Sequence, residues 1–205
     1  MKALLVFIGL FSSVMVLPGP SGAVWELAKE KDGIKVFTRR SDISKFDDIK
    51  IETDLVGNLS QVANILLDVE KYPEWAYATK SATVVQRMGN NELIYYSEIK
   101  TPWPVSNRDF YAHTKITIDS ASRSLTLMSE GMKDFRPEHK DLVRIPFSKG
   151  FWTISTTSNK SLHLEYELQI NPGGSIPAWV INMFITKGPL ETFSNLKQKM
   201  QLLNK

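Results

Sequence analysis

The chain has 205 residues, no cysteine and a formal net charge of +3 at pH 7. The absence of thiols excludes a cysteine nucleophile and disulfide bonds, so stability has to come from side-chain packing. A charge of +3 over this length is a weak field. It argues against strong nucleic-acid binding and allows a mild attraction to anionic lipid.

The N-terminal segment has the pattern of an export signal. Lys2 supplies a positive charge, residues 3–17 are apolar, and small residues precede a cleavage position after Ala23. The apolar run is about 15 residues long, whereas a membrane-spanning helix needs about 20. We therefore expect cleavage after Ala23, one mature domain over residues 24–205, and a periplasmic or secreted location. An uncleaved N-terminal anchor is the alternative.

The predicted elements follow in chain order. Alternating residues predict strands over 34–39 and 49–56, and Asn58 or Ser60 caps a helix that ends at Asp68. Alternation and turn residues then predict strands over 83–88, 93–100, 110–119, 124–130, 141–147, 151–157 and 162–170. The last of these strands separates into an apolar and a polar face, which indicates an antiparallel sheet with one buried face.

A long helix completes the chain. It is predicted from about Ser175 to about Leu203, with an apolar stripe along one side and a kink or break at Gly188 and Pro189. One amphipathic helix and a sheet with one apolar face are expected to pack together. The predicted class is therefore α+β, with an antiparallel sheet against a long C-terminal helix.

The sequence lacks recognisable motifs for catalysis or metal binding. Its three histidines, His113, His139 and His163, are not paired at metal-ligand spacing. There is no HExxH, GxSxG, P-loop or GxGxxG motif. We assign no catalytic residue, metal site or cofactor and expect a protein that is not an enzyme, while acid–base chemistry by scattered carboxylates stays open.

Two segments carry a family resemblance. Residues 101–110 read TPWPVSNRDF, and residues 171–182 read NPGGSIPAWVIN. In this order, with YPEW at residues 72–75, they resemble START (StAR-related lipid-transfer) domains, and residues 98–110 look closest to the phosphatidylcholine-transfer type. The resemblance implies the helix-grip (START-like, SRPBCC) fold, a curved antiparallel sheet wrapped around a long C-terminal helix with an internal cavity. It also implies that residues 25–36 form a first helix and strand.

The resemblance further implies which side chains line the cavity. They come from two strands of the meander, the last strand and the final helix: Tyr95, Ser97, Ile99, Phe110, Ala112, Thr114, Leu164, Tyr166, Leu168, Val180, Met183 and Phe184. Periodicity alone fits a filled core equally well. Arg144 is the polar candidate for a lipid phosphate, because a buried guanidinium is costly unless it is paired. A surface position, or pairing with Glu98 or Glu130, is the alternative for Arg144.

Two departures from the family pattern concern the choice of lipid. Ser97 and Phe110 stand where the phosphatidylcholine type has two aromatic residues of its choline cage. Thr114 stands where the sterol-binding type has an arginine. The sequence therefore leaves the lipid class open between a phospholipid and a sterol-like molecule.

Residues 102–107 are expected to form a lid over the cavity. Trp103, with Pro102, Pro104 and Val105, makes a stiff apolar tip suited to a membrane interface. Packing over the tunnel mouth is the alternative for this tryptophan. Arg108 and Asp109 are expected to fix the loop to the start of the next strand.

The predicted function is to bind one lipid and carry it between membranes. We expect a monomer that touches membranes transiently and does not bind nucleic acid. Two alternatives remain. One is a helix-grip enzyme, such as a cyclase or hydrolase, that uses the same cavity, and the other is a ligand-sensing module that acts through protein partners.

Overall fold

The computed structural model describes residues 24–204, so the predicted export signal lies outside the described residues. Within residues 24–204, no helix is long and apolar enough to cross a membrane. In this described part of the chain, ten strands form one sheet. They are β1 (Glu26–Lys31), β2 (Ile34–Arg39), β3 (Asp48–Val56), β4 (Thr79–Arg87), β5 (Glu92–Ile99), β6 (Arg108–Asp119), β7 (Ser124–Gly131), β8 (Val143–Arg144), β9 (Phe147–Ser158) and β10 (Ser161–Asn171).

The order across the sheet is β1-β2-β3-β10-β9-β7-β6-β5-β4, and β8 pairs in parallel with β6. All the other pairs are antiparallel. Tyr166 of β10 lies opposite Ile51 of β3 and Trp152 of β9. Because side chains alternate along each strand, these three residues share the inner face of the sheet. The predicted antiparallel sheet is confirmed.

Helix α1 (Leu59–Leu67) begins after the predicted cap Asn58. The Asn58 side chain accepts the backbone N–H of Gln61 at 3.0 Å, and the Gln61 side chain accepts that of Asn58 at 2.9 Å. This reciprocal pair satisfies two N–H groups that a helix start leaves free. A 3₁₀ turn (Val69–Lys71) and the short helix α2 (Tyr72–Trp75) follow.

The C-terminal helix has three parts: α3 (Ala178–Asn182), a π turn (Met183–Lys187) and α4 (Gly188–Leu202). It begins slightly later than predicted, because Pro177 is extended and serves as its N-cap. The wider turn ends at Lys187, two residues before Pro189, which lacks an N–H and whose ring would clash with a preceding carbonyl in a regular helix. The predicted irregularity is confirmed and takes this form.

One end of the molecule is a filled core. Here α4 packs across β2 and β3, and α1 packs against β7 and β9. Fully buried side chains from these elements and β10 interlock: Ile34, Val36, Ile51, Val62, Leu66, Ile154, Leu162, Leu164, Leu196 and Met200. This core fixes the helix against one half of the sheet and leaves the other half to form the site.

Two expected elements are wrong. Residues 26–31 form the edge strand β1 instead of a first helix, because pairing with β2 satisfies their backbone although every side chain is exposed. The strand expected over 141–147 shrinks to the two residues of β8. Pro146 has no N–H to continue a ladder, and β9 begins immediately after it.

Candidate functional site

A cavity of about 350 Å³ lies between the sheet and the C-terminal helix, next to the filled core. Strands β5, β6, β7, β9 and β10, helix α2 and the C-terminal helix supply most of its wall. Most of the wall is apolar or aromatic, and the volume falls in the range typical of small-molecule sites, roughly 300–1,000 Å³. The arrangement is suited to holding an apolar ligand away from water.

The structure places nine of the thirteen predicted ligand-binding residues on this wall: Tyr95, Ser97, Ile99, Phe110, Thr114, Tyr166, Leu168, Val180 and Phe184. The strand residues are brought together by the alternation that the sequence shows. The helix residues are four apart and share one side of the helix. Their contact with a ligand stays a prediction.

Three apolar residues that we expected on the wall lie elsewhere. Leu164 is fully buried in the filled core, and Ala112 packs in a small cluster with Val69 and Leu93. Met183 is absent from the wall, since the wall-forming side of the helix runs through Val180 and its neighbours four residues apart. For these positions the expected place in the cavity is wrong.

Arg144 is not on the cavity wall either. Its Nε and Nη2 donate to the two carboxylate oxygens of Asp109 at 2.9 and 3.0 Å, and both side chains are almost fully buried. Its Nη1 donates to the carbonyls of Lys133 and Arg136 at 2.8 and 3.0 Å. The hydrogen bonds that Arg144 donates to Asp109 raise the pKa of Arg144. The internal pairing is thus correct, but its partner is neither of the expected glutamates.

Arg108 lies on the wall instead, although it is not among the predicted ligand-binding residues. Only 3% of its surface is exposed. Its Nη1 donates to the carbonyl of Ser106 and its Nη2 to that of Gly173 at 3.3 Å, so it joins the predicted lid to the loop before α3. Strand parity could have found it, because Arg108 is two residues before Phe110 on the same face of β6.

The aromatic residues of α2 were also missed as wall residues. Tyr72 and Trp75 line the cavity, and their rings stand edge to face with centroids 5.3 Å apart. Tyr72 donates its hydroxyl to the carbonyl of Leu66 at 2.6 Å. The YPEW segment itself was the available signal, since a proline-led turn with two aromatic rings is costly to leave in water.

Hydroxyl groups interrupt the apolar wall. Ser97 donates to the carbonyl of Ser81 at 3.1 Å, and Thr114 donates to Ser129 at 2.9 Å. Burial raises the pKa of Tyr95 to about 12, which keeps this phenol neutral. These groups supply polar contacts without charge.

The C-terminal helix is held over the cavity by residues around Tyr77. The ring of Tyr77 stands edge to face with Phe184 at 5.7 Å, and its backbone N–H donates to Thr192 at 2.9 Å. A Cβ at Gly188 would stand 3.0 Å from the Tyr77 ring, closer than most real contacts. Glycine therefore permits this close approach.

The predicted lid is a closed loop held by its own polar groups. Thr101 donates its hydroxyl to the carbonyls of Val105 and Ser106 at 2.8 and 2.7 Å, and its N–H donates to Asn107 at 3.0 Å. Trp103 at the tip is 90% exposed. The alternative in which this ring packs over the cavity mouth does not hold in this structure.

Comparison with known proteins agrees with this architecture. The profile of the family described as the START domain matches residues 16–205. The chain belongs to the START domain family. The resemblance stated from the sequence is confirmed, and the antiparallel sheet with its long C-terminal helix is a START fold.

Three proteins are similar to this START domain over most of its length. A phosphatidylcholine transfer protein of Mus musculus is 26% identical over 176 residues, covering 83% of this chain and 81% of that one. An uncharacterized protein of Pseudomonas aeruginosa is 29% identical over 173 residues, covering 84% and 85%. The crystal structure of a StAR-related lipid transfer protein from Xanthomonas axonopodis matches with a TM-score of 0.77 and 29% identity, covering 86% and 98%.

Proposed function

We propose that this START domain binds one lipid in its cavity and transfers it between membranes without making or breaking covalent bonds. The observation that carries the proposal is the apolar-lined cavity between the sheet and the C-terminal helix. Each buried CH₂ group contributes about 0.8 kcal/mol, so an acyl chain or sterol is held without covalent chemistry. The named lipid-transfer proteins among its relatives support the same activity.

Transfer requires a route for the ligand, and the loop 102–107 is the proposed lid. Its exposed Trp103 and adjacent prolines suit transient contact with a membrane interface. Docking of this tip would separate the loop from the helix and open the cavity to lipid. We propose that the protein acts as a monomer, with a membrane and a lipid as its partners.

The proposed site of action is outside the cytoplasm. The positive, apolar and small-residue pattern of residues 1–23 supports export and cleavage after Ala23. To test this proposal, the protein is collected from the medium or the periplasm of its native host and its mass is measured. A mature chain that begins at Val24 is expected, and a full-length chain retained in the cytoplasm would contradict it.

Blocking the cavity tests the function itself. Leu168→Trp adds a large side chain to the wall, whereas Glu167→Trp adds the same ring at the next position, which alternates to the other face of β10. Transfer of fluorescent lipid between vesicles should fall strongly in Leu168→Trp and persist in Glu167→Trp. Equal transfer by both folded variants would show that the cavity does not carry the lipid.

A further inference from the structure

The cavity wall contains a buried positive charge that lacks an acidic partner. Arg108 is 97% buried, and no carboxylate within residues 24–204 lies at salt-bridge distance from it. Its two carbonyl partners accept hydrogen bonds but do not neutralise the charge. Burial lowers the pKa of Arg108, as expected for a cation without a counter-ion.

Three acids that neighbour this arginine in the chain, in the sheet or on the cavity wall each have another basic side chain beside them. Asp109, its neighbour in the chain, holds Arg144. Glu98, opposite Asp109 in β5, is bound by Lys80 at 2.9 Å and by Asn107 at 2.9 Å. The acid that lines the cavity, Asp47, lies 4.0 Å from Arg40. No carboxylate of the described residues therefore balances the charge of Arg108. A bound anion would balance it.

The guanidinium also has donor capacity to spare. An arginine has five N–H donors in a planar fork, and hydrogen bonds to the protein account for two contacts here. The Nε atom is buried without a hydrogen-bond partner among the described residues. In contrast, Arg144 directs Nε and both terminal nitrogens at acceptors. A buried polar atom without a partner is costly, and a bound oxyanion would remove that cost.

We propose that Arg108 binds the oxyanion of the lipid head group, so that the cavity selects lipids with a net negative charge over zwitterionic ones. This inference rests on the proposed function, which it deepens by naming the ligand class. A carboxylate and a phosphate share the required chemistry, because both accept two parallel hydrogen bonds from a guanidinium.

A choline head group fits this wall poorly. Its cation would need an aromatic cage or a free acid. Ser97 and Phe110 stand at two positions where the phosphatidylcholine type has cage residues, and the acid on the wall, Asp47, lies 4.0 Å from Arg40. A cation placed in the same cavity as Arg108 would also be repelled by it. A fatty acid or an anionic phospholipid has no such second charge to accommodate.

The direct test offers the protein a choice of lipids. The full chain is incubated with vesicles of dioleoyl-phosphatidylcholine, dioleoyl-phosphatidylglycerol and oleic acid in equal mole fractions, re-isolated and extracted. Phosphatidylglycerol or oleate should be enriched about tenfold over phosphatidylcholine, because the choline cation held in the same cavity is repelled by Arg108. The enriched anion identifies phosphate or carboxylate as the head group.

Two other results would each be decisive. Uptake in proportion to the vesicle composition, or preference for phosphatidylcholine, would overturn the anion inference and leave the proposed function intact. A protein that takes up no lipid would overturn the proposed function and the inference with it.

A matched pair of variants assigns the preference to Arg108. Arg108→Gln removes the charge from the wall, and Lys115→Gln removes the same charge from an exposed position on the same strand. Arg108→Gln should take up lipid in proportion to vesicle composition, while Lys115→Gln should keep the preference. A folded Arg108→Gln protein that still prefers anions would overturn the assignment.

If Arg108→Gln fails to fold, an NMR spectrum of the wild-type protein tests whether Arg108 binds the anion. In ¹⁵N-arginine-labelled protein, the Nε–H signal that disappears in Arg108→Lys reports this side chain. Loading with the enriched anionic lipid should shift that signal further than loading with phosphatidylcholine, whose phosphate is already balanced by its own cation. If the position of this signal does not change on loading with the anionic lipid, the inference is overturned.

Discussion

Strand β10 and the C-terminal helix each pass through two different environments. At one end, Leu164 of β10 and Leu196 of the helix are fully buried in the filled core. Farther along the same inner faces, Leu168 and Phe184 line the cavity. The same apolar pattern thus produces packed contacts in one half of the molecule and a hollow in the other.

The two halves also use arginine differently. Arg144 lies outside the cavity and is fully paired with Asp109, whereas Arg108 lies on the cavity wall and has no acid. Periodicity therefore determines which face is buried, but the volumes and charges on several elements determine whether that face is filled. The difference predicts that matched substitutions in the two halves have unlike effects on stability and on binding.

The largest effect is expected for Arg144→Gln. It leaves Asp109 buried without its cation, which costs about 3–5 kcal/mol of the free energy of unfolding. Arg108→Gln removes no ion pair, so its loss of stability should be much smaller. Urea unfolding of the two variants measures the difference, and equal losses would remove the distinction between the two arginines.

Two leucines of β10 give the next test. Leu164→Ala opens a void in the filled core and should lower the free energy of unfolding by about 3 kcal/mol. Leu168 already borders the empty space of the cavity, so Leu168→Ala should lower the free energy of unfolding by about 1 kcal/mol or less. Chemical denaturation measures both. If Leu168→Ala were as destabilising as Leu164→Ala, the hollow half would in fact be packed.

Most of the fold could be predicted because its signals are local. Alternation predicts the strands, and Asn58 with Gln61 predicts the start of α1. The edge strand β1 carries no buried side chains, so an amphipathic helix looked equally good there.

The site could be predicted only in part. Strand parity brings Ser97, Phe110 and Tyr166 to one wall, but it does not reveal which of two arginines has an acidic partner. That depends on β8 meeting β6, where Arg144 lies beside Asp109. A two-residue parallel pairing of distant segments leaves no periodic trace in the sequence.

A smaller effect, on rate alone, is expected for the lid. Trp103→Ala should leave stability unchanged, since this side chain is 90% exposed. Loss of the interfacial anchor should slow transfer between vesicles by about tenfold, which corresponds to a rise of about 1.4 kcal/mol in the activation free energy. The control is Phe151→Ala, which removes an exposed ring from β9. Equal rates for wild type and Trp103→Ala would exclude membrane contact by the tip.

The smallest effect concerns pH and the contact between α2 and α4. Hydrogen bonds from Lys199 and Lys71 lower the pKa of Glu74, whose ordinary value is 4.5. Its stabilisation is therefore present above that ordinary pKa and is lost as pH falls through the lowered one. Glu74→Gln should be slightly less stable than wild type near neutral pH and equal to it in acid. Thermal unfolding across pH measures this, and a gap that widens in acid would contradict it.

Native mass spectrometry after incubation with mixed vesicles tests the hollow half most directly. The protein should carry the added mass of one lipid per chain, and Leu168→Trp should carry none or much less. A chain that emerges without lipid, or a Leu168→Trp variant that binds as well as wild type, would contradict the carrier function assigned to this cavity.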